Sequence, residues 1–132
     1  MKHFLAYVAF SFIPVLAAAQ GAATFESRVD SARAIEGQQA AREYLERHLF
    51  PAMRADLSSA TQRCLASRGA SKAGFTIVAD VASDGSVANV AVKPATDTSN
   101  CFANAFRALR FPPPPGIYSP SLPIFLDMEF GG

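Results

Sequence analysis

The chain is most informative through what it has little of. Past the first few residues it contains a single histidine, His48, and only two cysteines, Cys64 and Cys101. A Ser/His or Cys/His nucleophile system would have to be built on His48, which sits among Glu46, Arg47 and Leu49 where a helix is expected to end. A cation there is favoured by the helix dipole, so the residue reads as a surface cap. There is no C-x-x-C pair, no Gly-rich phosphate loop and no clustered His, Cys or carboxylate set of the kind metal sites need. Asp80, Asp84, Asp127 and Glu129 read as strand-exposed or turn residues. No catalytic residue, metal ligand or cofactor site is expected, and no motif supports a paired-carboxylate hydrolase.

Charge of one sign is also missing. Twelve Lys and Arg stand against eleven Asp and Glu, interspersed along the chain. Nucleic-acid binders and polybasic membrane readers need a concentrated positive field, so neither class fits.

No apolar run reaches the roughly 20 residues of a spanning helix. Met1-Lys2-His3 is followed by an uncharged, mostly apolar stretch from Phe4 to Ala19, interrupted by Pro14 and ending Ala17-Ala18-Ala19-Gln20. That order is a secretory signal peptide, with Ala17 and Ala19 at the A-x-A positions and cleavage expected after Ala19. A retained anchor is the alternative reading. No Cys follows closely enough for a lipoprotein anchor. Residues 1–19 are thus expected to be a leader, and the remaining chain a soluble periplasmic or secreted protein with its two charge signs in balance.

In that compartment two cysteines have one intramolecular pairing. Closing a loop of about 38 residues would stabilise the fold by roughly 4 kcal/mol in the chain-entropy model. A Cys-linked dimer and a redox-active pair are the alternatives, the latter lacking its usual close spacing.

What is present is a clear change of period along the chain. From Glu26 to about Leu49 helix formers dominate, with Glu43/Arg47 and Arg42/Glu46 four apart and a break expected at Gly37. Pro51 is expected to stop this helix and start the next, in which Met53, Leu57, Ala60 and Cys64 form an apolar stripe, with Gly69 as its cap. Phe75, Ile77, Ala79 and Val81 then alternate at strand spacing. Ser83-Asp84-Gly85-Ser86 turns the chain, and Val87 to Val92 returns, with Ala88, Val90 and Val92 expected on one face and Asn89 on the other. Ser99 or Asn100 is expected to cap a helix from Cys101 to about Arg110, with Phe102, Phe106 and Leu109 along one side. Pro112 to Pro115 cannot continue it and reads as a stiff connector rather than a ligand for a proline-recognition domain. The last strand sets Leu122, Ile124, Leu126, Met128 and Phe130 against Ser121, Pro123, Phe125, Asp127 and Glu129. Pro123 places it at a sheet edge.

These elements predict a small α+β domain. Its three-stranded antiparallel sheet has the third strand beside the first and is covered on one face by helices, in the order strand, strand, helix, strand, preceded by an N-terminal helical segment.

The stretch Gly74 to Phe130 resembles the C-terminal domain of TonB-type energy transducers. The resemblance rests on the strand Phe75-Thr76-Ile77-Val78-Ala79-Asp80-Val81, the turn Asp84-Gly85, the strand Val87 to Val92, the helix end Ala108-Leu109-Arg110-Phe111-Pro112-Pro113 and the closing alternating strand. The stretch resembles still more the AgmX/PglI-like variant, in which one Cys lies on the helix before the hairpin and another at the start of the helix after it, the places of Cys64 and Cys101. Together with the leader read from the N-terminus, the resemblance leads to an expected division into a leader (1–19), an N-terminal helical segment (20–50) and a TonB-C-like domain (51–132). It implies a fold and a habit of binding protein partners, including by strand addition at an open edge. An energy transducer's retained membrane helix and long Pro-rich spacer are not expected here, where a cleavable leader is read instead, so energy transduction is not carried over. The expectation is a non-enzymatic envelope protein that binds another envelope protein; the alternative is a secreted inhibitor or immunity-type protein that blocks a toxin or hydrolase.

Overall fold

The computed structural model describes residues 23–66 and 69–130. The expected leader, residues 1–19, lies outside them. The first helix, α1 (Phe25–Glu36), starts where the Thr24 hydroxyl accepts the Ser27 N–H at 3.1 Å, and ends at Gly37. Both are ordinary solutions to the unpaired backbone groups of helix ends.

Beyond Gly37 the chain departs from expectation. Helix α2 (Gln39–Tyr44) runs through a π-helical turn (Leu45–Leu49) directly into α3 (Phe50–Leu65). The stop expected at Pro51 does not occur. A proline inside a helix loses its N–H bond and crowds the carbonyl four residues back. Here the turn immediately before it is widened, with the Phe50 N–H reaching back to the Leu45 carbonyl, and Pro51 lies in the first positions of α3. His48 consequently lies inside a continuous helical run, not at a helix end. The same turn changes the side-chain spacing, and neither Glu43/Arg47 nor Arg42/Glu46 pairs. Gln39 donates to Glu43 instead, and Arg42 to the Gly37 carbonyl. Residues on both sides of 50/51 share one core: Ala41, Tyr44, Leu45 and Leu49 pack with Leu57, Ala60 and Cys64.

The sheet consists of β1 (Phe75–Ala82), β2 (Val87–Lys93) and β3 (Ser121–Met128) in the order β2-β1-β3, both pairings antiparallel. The α+β class and the place of the third strand beside the first are as expected. Pairings Ile77–Leu126, Ala79–Ile124 and Val81–Leu122 put those residues on one buried face.

In β2 the register slips by one residue between the partners of Val78 and Asp80. Asn89 takes φ 54, the left-handed conformation that Asn tolerates, and makes a bulge. The bulge reverses the alternation. Val87 joins Val90 and Val92 against the core, and Ala88 lies opposite Asp80 on the other face, so Ala88 and Val87 exchange the expected roles.

Helix α4 (Asp97–Arg107) begins one turn earlier than the Ser99 or Asn100 cap would place it. Thr96 is the cap, and Thr96 and Ser99 satisfy each other's backbone N–H groups in a capping box. Phe102 and Phe106 are fully buried; Phe102, Phe75 and Phe130 stack pairwise at 5.5–5.9 Å between ring centres.

Helices α3 and α4 pack together on the core face. Helix α1 crosses the opposite face, which the sequence did not assign to it. Glu26 pairs with Lys93 on β2, Arg28 with Asp80 on β1 and the Asn89 carbonyl on β2, and the Arg33 guanidinium lies 5.2 Å over the Phe125 ring on β3. Beneath it Val78 is 1 % exposed. Because α1 ends over β3 and α2 lies on the core side, the chain changes face beside the start of β3, where Tyr118 donates to Gln38 at 2.8 Å.

Candidate functional site

The two cysteines are joined, with Cα atoms 5.6 Å apart and a separation of 37 positions in sequence. The bridge ties α3 to α4, as the placement of Cys64 before the hairpin and Cys101 after it implies. It is a structural element of the core, since Cys64 belongs to the main apolar cluster and Cys101 packs against it.

The acidic residues are engaged as strand and turn residues. Asp80 accepts from Asn89 and pairs with Arg28; Asp127 accepts from the Thr76 hydroxyl; Asp84 accepts both the N–H and the hydroxyl of Ser86, which hold its carboxyl below the usual range. Among the described residues no group of three His, Cys, Asp or Glu is placed to hold a metal ion, and no helix is long and apolar enough to cross a membrane. His48 is exposed beside Tyr44, ring centres 6.0 Å apart.

Two surface features remain. One is an open groove of about 870 Å³ between α3 and α4, with Leu57, Ala105 and Leu109 inside and Asp56, Arg63 and Arg110 among its walls. Both charge signs line it, so it presents no field that selects a ligand by charge.

The other is the free edge of β3. Its orientation follows from the register. The Ser83 N–H donates to the Pro120 carbonyl at 3.1 Å, which continues the β1–β3 ladder by one pair and fixes the alternation. Leu122, Ile124, Leu126 and Met128 exchange bonds with β1, and the residues between them turn their backbone groups outward. Those are Ser121, Pro123, Phe125 and Asp127.

Pro123 thus lacks an N–H on the side where none is used, which is why a proline is tolerated within a strand. It blunts the first half of the edge, where the α1–α2 link also passes. The second half, from Phe125 onward, keeps its N–H and C=O groups. The opposite edge is guarded differently: Arg107 donates to the Val90 carbonyl and Arg28 to that of Asn89.

No family model, no characterised protein and no solved structure matches this chain. The site is therefore read from its own geometry. Pro123 was the sequence signal for an edge. Which half of that edge is usable needed the register, and the presence of Arg33 beside it needed α1 to lie on the second face.

A third arrangement explains how the hairpin is held. Gly85, at φ +88, is buried against Phe111, whose N–H donates to the Gly85 carbonyl at 2.9 Å. A Cβ on Gly85 would stand 1.8 Å from the Phe111 carbonyl oxygen. The Asp84-Gly85 turn and the Arg110-Phe111-Pro112 helix exit, two separate motifs in sequence, are one clasp in space.

Proposed function

We propose that this is a non-enzymatic exported protein of the cell envelope, with a TonB-C-like domain, that binds another envelope protein by adding the partner's extended segment to the β3 edge. The observation that carries the reading is the row of outward backbone groups at Phe125 and Asp127, on a strand that has no neighbour on that side among the described residues. The leader-like N-terminus and the Cys64–Cys101 bridge support an oxidising compartment. The β-β-α-β order, the Asp84-Gly85 turn and the Phe111-Pro112-Pro113 exit support the family resemblance.

Crosslinking of the full chain in intact cells, followed by identification of the captured protein, tests this reading when wild type is compared with Asp127→Pro. That substitution removes an outward N–H and leaves the backbone bonds to β1 intact; the Thr76 hydroxyl loses its acceptor, a change that Asp127→Ala shares and controls for. Loss of capture in Asp127→Pro but not in Asp127→Ala, with matching thermal midpoints for the two variants, is the expected result. Equal capture by wild type and Asp127→Pro would rule out the β3 edge.

A further inference from the structure

The usable half of the edge carries a charge pattern. Phe125 and Asp127 have their side chains on the face crossed by α1, the face away from Leu126 and Met128; Glu129, one residue past β3, continues the alternation, its Cγ 3.8 Å from where a Cβ on Gly74 would stand. The Arg33 guanidinium stands over Phe125, and among the described residues it makes no ion pair. Asp127 and Glu129 are exposed, and among the described residues only the Thr76 hydroxyl engages Asp127. Along the strand the edge is therefore positive at 125 and negative at 127 and 129.

A strand laid against this edge places its residues about 5 Å from their opposite numbers, in reach of these charges. An antiparallel addition continues the sheet as it is built and is the more stable pairing per residue. In that orientation the partner residue opposite Glu129 comes first, then the one opposite Asp127, then the one opposite Phe125. The residues between them lie on the other face, beside Leu126 and Met128.

We infer, resting on the edge-binding reading above, that the β3 edge selects an extended segment reading basic-apolar-basic-apolar-acidic from its N-terminus. The two basic side chains meet Glu129 and Asp127, and the acidic one meets Arg33. The groups that recognise the partner thus come from two stretches far apart in sequence, the end of α1 and the segment from the end of β3 to Glu129.

The test uses the oxidised full chain without its leader and two soluble peptides with identical Gly/Ser flanks, one containing Lys-Val-Lys-Val-Glu and the other Glu-Val-Glu-Val-Lys. Affinity is followed by amide chemical shifts at low ionic strength, and the site by hydrogen exchange at Phe125 and Asp127. The first peptide is expected to bind at least about fivefold tighter, as two or three exposed cross-strand charge pairs allow, and to protect both amides. The triple variant Arg33→Glu, Asp127→Lys, Glu129→Lys, all at exposed positions, is expected to reverse the preference. Equal binding of both peptides with protection at Phe125 and Asp127 would leave the edge reading standing and overturn the charge pattern. Three outcomes would overturn both: no protection by either peptide, protection of the β2 amides instead, or protection that appears with protein concentration alone and marks a second copy.

Discussion

At the scale of single residues, two local environments set measurable energies. Gly85 combines a left-handed backbone with contact against the Phe111 carbonyl, and neither can be relieved by rotating a side chain. Gly85→Ala must shift the backbone of the hairpin or of the helix exit. It is expected to destabilise the protein by about 3 kcal/mol or more in urea unfolding. Gly116→Ala is the control, because a Cβ there meets nothing within 4 Å and its φ is not positive; it should be neutral or slightly stabilising. A Gly85→Ala variant within about 1 kcal/mol of wild type would show that the clasp does not hold the hairpin. The second environment is that of Tyr44, whose hydroxyl donates to the Pro112 carbonyl at 2.7 Å while burial pushes its pKa up to about 12. An unfolded phenol titrates near pH 10. Between these values the folded chain keeps a proton that the unfolded chain has lost, so stability is complete below pH 10 and falls as pH rises through the interval. The loss is at most about 2 kcal/mol, since the hydroxyl is not wholly cut off from water. Tyr44→Phe should flatten this alkaline slope in denaturation followed by circular dichroism. A slope unchanged by the substitution would place the alkaline transition elsewhere.

Elements were legible where one face of a regular repeat meets one buried layer. The alternation of β3 is strict and that of β1 is interrupted only by Val78, buried beneath α1; each strand gives the main cluster side chains from a single face, and the paired register preserves this from Phe75 to Met128. The apolar side of α4 was equally plain in Phe102 and Phe106. Legibility failed where a local irregularity is held in place by distant contacts. Asn89 gives no sign in sequence that it is left-handed; the bulge is stabilised by its cross-strand bond to Asp80 on β1 and by Arg28 on its carbonyl, the latter set by the position of α1. Pro51 reads as a stop because proline usually is one, and only the widened turn before it lets the helix continue. The start of α4 was misplaced by one turn because Ser99 looks like a cap in its own right, whereas it serves as the third helical residue in the box with Thr96. Helix α1 has a single fully buried residue, Ala32, and reaches the sheet mainly through Glu26, Arg28 and Arg33. Such a helix lacks the wide apolar stripe that announces which surface it will cover.

For the molecule as a whole, the sheet is a layer between unequal partners. On one face α3, α4 and the π-helical turn bury the aromatic and aliphatic core; on the other, α1 covers a smaller apolar contact around Ala32 and Val78 and adds exposed polar contacts that are worth little individually. Cohesion therefore depends on the core side, where α3 precedes the hairpin in the chain and α4 follows it. Nothing in the backbone connects those two helices directly except the hairpin they cover. The Cys64–Cys101 bridge supplies that connection and closes a loop containing all of β1 and β2. Cross-linking across this span removes unfolded-state entropy worth roughly 4 kcal/mol in the chain-entropy model. In a domain of this size each kcal/mol moves the midpoint by about 4 °C or more. Reduction, or the double substitution Cys64→Ser and Cys101→Ser, should therefore lower the thermal midpoint by about 15 °C or more. The effect should also be selective. Hydrogen exchange at β1 and β2, inside the closed loop, should accelerate on reduction no less than exchange in α3 and α4, because the hairpin is clamped only as long as both helices stay on its face. A midpoint insensitive to reductant would mean that packing between α3 and α4 holds the layer together without the bridge.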